Sequence, residues 1–129
     1  MKAVGKVFLA ALVAFGSATA VSAHHSFPAT YHVDQTQTIT GKVVAFLFRN
    51  PHSFVQVMAP DKAGQMQRWA VEWSAGAALQ DDHVNATTLK VGDIVTVTGN
   101  PARDDSAHRL RMNKIIRRGD GWKWEGVVQ

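Results

Sequence analysis

Two adjacent histidines, His24 and His25, follow a stretch with the pattern of a secretory leader. If the leader is cut after Ala23, His24 becomes the first residue, and its α-amine and imidazole can chelate one metal ion together. His25 or a distant histidine can then supply a further nitrogen. Nitrogen-rich tetragonal sets suit Cu(II), which the Irving–Williams order also favours over its neighbours. The pair therefore predicts a metal-binding terminus, with copper as the first candidate. A disordered, solvated terminus is the alternative.

Two further residues are candidates to complete the metal set, namely His52 and Glu72. His52 falls in the turn after the first predicted strand, and Glu72 falls on the polar face of the third. His32 is close enough in sequence to loop back as well. Each candidate also has an ordinary structural interpretation. His52 could cap a turn by hydrogen bonding, and Glu72 could be a solvated or ion-paired strand residue, since buried carboxylates need partners.

The proposed leader has the order of a signal peptide: Lys2 and Lys6, then an apolar run over residues 7–15, then small residues to Ala23. The apolar run is shorter than the roughly twenty residues that a membrane span needs. Small residues permit a cut after Ala20 or after Ala23, and we expect the second.

This interpretation divides the chain into a signal peptide (1–23), an amino-terminal segment (24–35) and one β-barrel domain (36–129). No second apolar span follows, so no transmembrane segment is expected after cleavage. The expected location is a bacterial periplasm, with full secretion as the alternative.

Composition restricts the function classes. The formal net charge of +4 includes the two lysines of the leader, so the mature chain is only weakly basic, and nucleic acid is not an expected partner. Cysteine is absent, which leaves burial or a bound ligand to stabilise the domain. No nucleophile with a base and an orienting group is apparent, and neither is a phosphate-binding glycine loop. An enzyme is therefore the less favoured class.

Alternating apolar residues and turn signals predict six strands and one short helix. The predicted strands cover residues 36–49, 53–59, 67–73, 91–100, 108–118 and 122–128, with a helix over residues 75–81. The first strand is apolar on both faces in its second half, with Ala45 and Leu47 on one face and Phe46 and Phe48 on the other. Gly41 is a candidate site for a bend in it. In the fifth strand, Leu110, Met112 and Ile116 are predicted to share the core face.

Three strands, a short helix and then two or more strands is the element order of a Greek-key barrel of the oligonucleotide/oligosaccharide-binding (OB) type. The predicted class is therefore all-β with little helix: a five- to six-stranded OB-like barrel with a short helix between strands 3 and 4. An SH3-like barrel and a small sandwich remain as alternatives.

Two groups of side chains could form a ligand-binding face instead. Trp69 and Trp73 could act as a stacking platform, although filling the core from one strand face is the favoured interpretation. A basic stripe on and after the fifth strand could meet phosphate or an anionic lipid surface, although a solvated edge that discourages strand pairing is the favoured interpretation. Its members are Arg109, Arg111, Lys114, Arg117 and Arg118.

Four motifs together resemble a family of short secreted bacterial proteins classed as a domain of unknown function. They are "AHHSF" after the leader, "NPH" at residues 50–52, "WAVE" at residues 69–72 and "LKVGDIVTVTGNPARD" at residues 89–104. The resemblance implies a small exported β-domain, OB-like, with no established activity.

These observations leave three functional hypotheses. The first is an exported module that binds copper or another transition metal through His24, with His25, His52 and Glu72 as the other candidate ligands. The second is a metal-free module that binds an anionic envelope ligand or a partner protein through Arg68, Glu72 and the arginines of the fifth strand. The third and weakest is a copper-dependent oxidative enzyme, by analogy with proteins that hold copper at an amino-terminal histidine.

Overall fold

The computed structural model of the chain describes residues 26–129. The predicted signal peptide, its two cut points, His24 and His25 all lie outside these residues. Within them, the chain forms six strands, two short helices and one 3₁₀ turn. The elements are α1 (Phe27–Thr30), β1 (Gln37–Leu47), β2 (Phe54–Pro60), β3 (Met66–Glu72), α2 (Gly76–Asp81), β4 (Ile94–Pro101), the 3₁₀ turn (Asp105–Ala107), β5 (Arg109–Arg117) and β6 (Lys123–Glu125).

Five of the strands close into a barrel. β1 pairs with β2 along one half and with β4 along the other, and both pairings are antiparallel. β2 pairs with β3, and β4 pairs with β5. A short parallel pairing of β3 with β5 completes the ring, while β6 extends the sheet beyond β5. A closed barrel in this order, with α2 between β3 and β4, is the OB fold. The predicted fold class is therefore confirmed.

The core fills the barrel with side chains from alternate positions of each strand. Trp69 and Trp73 are 5% and 0% exposed, which confirms that they belong to the core and excludes them as a surface stacking platform. Helix α2 contributes Leu79, which is also fully buried. Among residues 26–129, no helix has the length and apolar character needed to cross a membrane.

Two irregularities change which side chains face the core. In β1 the register skips Val44 between Val43 and Ala45. From there on, Phe46 and Phe48 pack against the core, whereas Leu47 is exposed. An extra residue reverses the alternation of faces, and the sequence pattern alone does not reveal it.

In β5 the register skips Asn113. Ile115 is consequently buried, and Ile116, which the simple alternation placed in the core, is only partly covered. The prediction for Ile116 was therefore wrong by one residue.

Gly41 lies tightly against the backbone of β2. A Cβ atom added there would meet the Met58 carbonyl oxygen at 2.0 Å. Only glycine permits this approach of two backbones. The sequence suggested a bend at Gly41; the structure has a close backbone contact there, and the bulge follows at Val44.

Candidate functional site

Glu72 is the last residue of β3, and its side chain lies at the centre of a polar cluster on the outside of the barrel. The residue is only 5% exposed. Its Oε1 atom lies 2.5 Å from His52 Nδ1, and its Oε2 atom lies 2.8 Å from Arg109 Nη2. The Tyr31 hydroxyl donates a further hydrogen bond to Oε2. Both oxygens of this buried carboxylate are therefore engaged.

The partners of Glu72 come from three separate parts of the chain. His52 lies in the turn between β1 and β2, and Arg109 begins β5, beside β3 in the parallel pairing. Tyr31 follows α1 in the amino-terminal segment and is fully buried. Its backbone forms an isolated bridge with Ala102 after β4. The segment thus crosses the outer face of the barrel and covers Glu72.

Arg109 links the cluster internally. Its Nε–H donates to the Tyr31 hydroxyl at 2.7 Å, while Nη2 donates to Glu72. The Tyr31 hydroxyl therefore accepts from the guanidinium and donates to the carboxylate. Such a closed set of charge-assisted bonds holds each member in one orientation.

The electrostatics follow from these contacts. Burial alone would raise the pKa of Glu72, but the hydrogen bonds from Tyr31, His52 and Arg109 bring it below its ordinary value. Burial and the neighbouring carboxylate raise the pKa of Tyr31 above its ordinary value. Glu72 is thus ionised and Tyr31 is protonated at neutral pH. An ionised carboxylate only accepts, so His52 Nδ1 donates the proton in this pair.

Phe27 connects the amino-terminal segment to His52. Its ring stacks on the His52 ring with a centroid distance of 5.8 Å and an interplanar angle of 21°. The Arg111 guanidinium lies 4.1 Å from the Phe27 centroid. Arg111 in turn donates from Nη2 to the Val128 carbonyl oxygen at 2.6 Å. Phe27 therefore lies between His52 and a cation that β5 holds in place.

An open cleft of about 310 Å³ adjoins the cluster. We call it the Arg49–Arg109 cleft, after the two guanidinium groups that line it. Its other lining residues are Asn50, Pro51, His52, Phe54 and Glu72.

The structure brings two of the four predicted metal-site residues together, His52 and Glu72. The other two, His24 and His25, lie outside the described residues. Across residues 26–129, no three histidine, aspartate or glutamate side chains are grouped so that they could hold a metal ion. His32 does not join the cluster, since its Nδ1 lies 3.3 Å from Arg103 Nη1 instead. The sequence also allowed Glu72 to be an ion-paired strand residue, and its contact with Arg109 agrees with that interpretation.

Sequence reasoning missed Tyr31 as a member of the cluster, and it grouped Arg109 with Glu72 only in the metal-free hypothesis. Tyr31 is the only tyrosine of the chain, and it lies before the barrel in a segment with no strand pattern. Its being the lone tyrosine in such a segment was the one sequence feature that could have pointed to it. Arg109 and Arg111 were expected at a solvated edge. That expectation was wrong, because both side chains are partly buried under the amino-terminal segment.

Comparison with known proteins identifies the family. The model of a family of unknown function, DUF6152, matches residues 11–111. The chain therefore belongs to this family, and the matched range includes every member of the cluster around Glu72. No curated protein matches the sequence.

One solved structure with a similar fold is the mitochondrial single-stranded DNA-binding protein Rim1 from S. cerevisiae. It is 13% identical, covers 65% of this chain and 94% of its own, and superposes with a TM-score of 0.47. Similarity at this level conveys nothing about what the present chain binds.

Proposed function

We propose that this DUF6152 protein is an exported OB-type module that binds a transition metal, with copper as the first candidate. In this proposal the leader is removed after Ala23, and the ion is held by the α-amine and imidazole of His24 together with His52 Nε2. His25 is a candidate for a fourth nitrogen. We further propose a bacterial periplasm as the compartment, because residues 1–23 have the pattern of a secretory leader.

The contact between Phe27 and His52 is the observation that carries this proposal. Phe27 is three residues after His24, and three residues span at most about 11 Å. The segment that starts at the proposed terminus is thus tethered to the ring of the second candidate ligand. No long loop would have to close for the two histidines to meet, so the entropic cost of bringing them together is small.

The orientation of His52 supports the same site. Metal-binding histidines usually donate their second ring N–H to a carboxylate, which fixes the ring and makes the ligating nitrogen more basic. Glu72 provides this carboxylate for His52 Nδ1. The proposal accordingly assigns the other ring nitrogen, Nε2, to the ion.

Glu72 is better suited to this orienting role than to binding the ion itself. Both of its oxygens already accept hydrogen bonds, and Arg109 places a positive charge 2.8 Å from one of them. A cation bound to Glu72 would have to displace these donors and would lie close to the guanidinium. The remaining donors, an amine and two or three imidazoles, form a nitrogen set, which suits Cu(II).

The metal-free alternative is less well supported for the face that the sequence suggested. Arg109 is bound to Glu72 and Tyr31, and Arg111 is bound to Val128 and stacked on Phe27. The nitrogens that form these hydrogen bonds could bind an anion only after the hydrogen bonds had broken.

The proposal is tested by calorimetric titration of Cu(II) into the chain that begins at His24. We expect one tight site per chain, together with nitrogen hyperfine structure in the electron paramagnetic resonance spectrum. A chain that begins at Val21, as after the alternative cut, should bind at least about 100-fold more weakly, because His24 then has no free α-amine to close the chelate ring. Replacing His52 by Gln should also weaken binding, while Glu72→Gln should cost roughly 10- to 100-fold by loosening His52.

The matched control is His83→Asn. His83 is exposed and has a positive φ of 61°, which asparagine tolerates, so this variant should bind copper like the parent chain. Equal affinity of the chain that begins at His24 and the chain that begins at Val21 would overturn the proposal. Intact-mass spectrometry of the exported protein checks its premise, since a cut after Ala20 would leave His24 without a free amine.

A further inference from the structure

Arg49 is an exposed cation that the fold nevertheless holds in place. Its backbone N–H donates to Ser53 Oγ at 3.1 Å, and its carbonyl oxygen accepts from Gly76 N–H at 3.0 Å. Its Nε–H donates to the His52 carbonyl oxygen at 3.4 Å, and its guanidinium carbon lies 5.5 Å from the centroid of the Phe54 ring. An exposed arginine that only served solubility would not need these contacts.

The charge of Arg49 is uncompensated among residues 26–129, since it forms no ion pair with a carboxylate of this part of the chain. Its two terminal nitrogens donate to no residue that the structure describes. On the same Phe54 ring, the guanidinium carbon of Arg109 lies 5.2 Å from the centroid. Arg109 uses Nε and Nη2 for Tyr31 and Glu72, and its Nη1 likewise donates to no described residue.

The lining of the Arg49–Arg109 cleft therefore carries one excess positive charge, since Glu72 balances only one of the two guanidinium groups. Asn50 adds amide donors, because its Oδ1 is taken by the Ala77 N–H at 3.3 Å. Phe54 and Pro51 supply apolar surface beside these donors. A cleft with excess positive charge, planar donors and apolar lining matches an organic anion.

We propose that the Arg49–Arg109 cleft binds a small organic carboxylate, with the carboxylate on the terminal nitrogens of Arg49 and on Nη1 of Arg109 and the apolar part against Phe54 and Pro51. Guanidinium groups bind carboxylates through paired, charge-assisted hydrogen bonds. The carboxylate neutralises the excess charge of the cleft while Glu72 keeps its own partners. This site goes beyond the proposed metal function and does not depend on it.

The test is a nuclear magnetic resonance titration of metal-free protein, kept in chelator, with butyrate. We expect saturable shifts confined to the signals of the cleft residues, with a dissociation constant on the order of millimolar. Butyramide, which has the same shape without the charge, should give no saturable shifts. Acetate and inorganic phosphate should bind more weakly than butyrate, because neither offers the apolar part.

The decisive variant is Arg49→Gln, which should weaken butyrate binding roughly tenfold or more. Its matched control is Arg118→Gln, which makes the same charge change at an exposed position lining a different cleft and should leave binding unchanged. The proposal would be overturned if butyrate gave no saturable shifts or if the two variants had equal effects. It would also be overturned if phosphate bound as tightly as butyrate. Because the titration excludes metal, its failure leaves the copper proposal standing, and failure of the copper proposal leaves this one standing.

Discussion

Replacing Glu72 by glutamine tests whether the polar cluster stabilises the fold. The substitution keeps the size of the side chain but removes the charge to which Tyr31, His52 and Arg109 are bonded. Removing one member of a buried ion pair costs about 3–5 kcal/mol, because the remaining charge stays unpaired. The Arg109 side chain is 36% exposed, so water screens part of this loss. We therefore expect a cost of about 2–3 kcal/mol.

Urea unfolding followed by tryptophan fluorescence measures this cost. With a slope of about 1 kcal/mol per molar urea for a domain of this size, the midpoint should fall by about 2–3 M. The matched control is Glu125→Gln, whose carboxylate lies 3.6 Å from Lys114 Nζ in a pair with side chains that are 66% and 38% exposed. A surface pair of this kind contributes at most about 1 kcal/mol. If both variants lose the same stability, the cluster does not act as a buried network.

The same residue predicts the acid limb of the stability curve. The pKa of Glu72 is lower in the folded chain than its ordinary value, so ionisation of Glu72 favours the folded state. The stabilisation is complete above the pKa of an unfolded glutamate, about 4.3, and is lost as the pH falls through the lower folded value. We expect the parent chain to lose stability in this window more steeply than Glu72→Gln. Parallel acid limbs in the two proteins would refute the assignment.

Two further predictions concern the close backbone contact at Gly41 and the tyrosine of the cluster. Gly41→Ala should cost about 3 kcal/mol or more in urea unfolding, because the new methyl group would meet the Met58 carbonyl oxygen at 2.0 Å. Gly64→Ala should cost only about 1 kcal/mol, since its φ is 80° but nothing lies within 4 Å. A smaller cost at Gly41 than at Gly64 would contradict the close contact. Tyr31→Phe should cost about 1–2 kcal/mol by removing the hydroxyl bonded to Glu72, and an unchanged urea midpoint would exclude that bond.

The strands could be predicted from the sequence because each depends on a local pattern. Val95 and Val97 alternate with threonines in β4, and Leu110 and Met112 alternate with arginines in β5, and these four apolar side chains are buried as predicted. Bulges could not be predicted, because the skipped residue is set by the partner strand rather than by its own neighbours.

The candidate site could be predicted only in part, for a related reason. Glu72 and His52 were singled out by residue type, and the structure brings them into contact. Their environment depends on Tyr31, which is 41 residues from Glu72 in sequence. No periodicity indicates that an irregular segment will cover a strand face. The sequence consequently predicted Glu72 as a solvated, ion-paired or ligating residue, and of these the ion-paired interpretation agrees with its contact with Arg109.

The covering segment also bears on how the proposed metal site would form. Phe27 and Tyr31 are held by contacts to the barrel that do not involve a metal ion, namely the stacking on His52 and the backbone bridge to Ala102. A ligand three residues away from such an anchor has a high effective concentration at the second ligand. In the proposed site, the folded domain would therefore supply most of the ordering before any ion binds, and removal of the leader would supply the amine. Export and site formation would then be linked by one peptide-bond cleavage, because the chain that still carries its leader lacks that nitrogen.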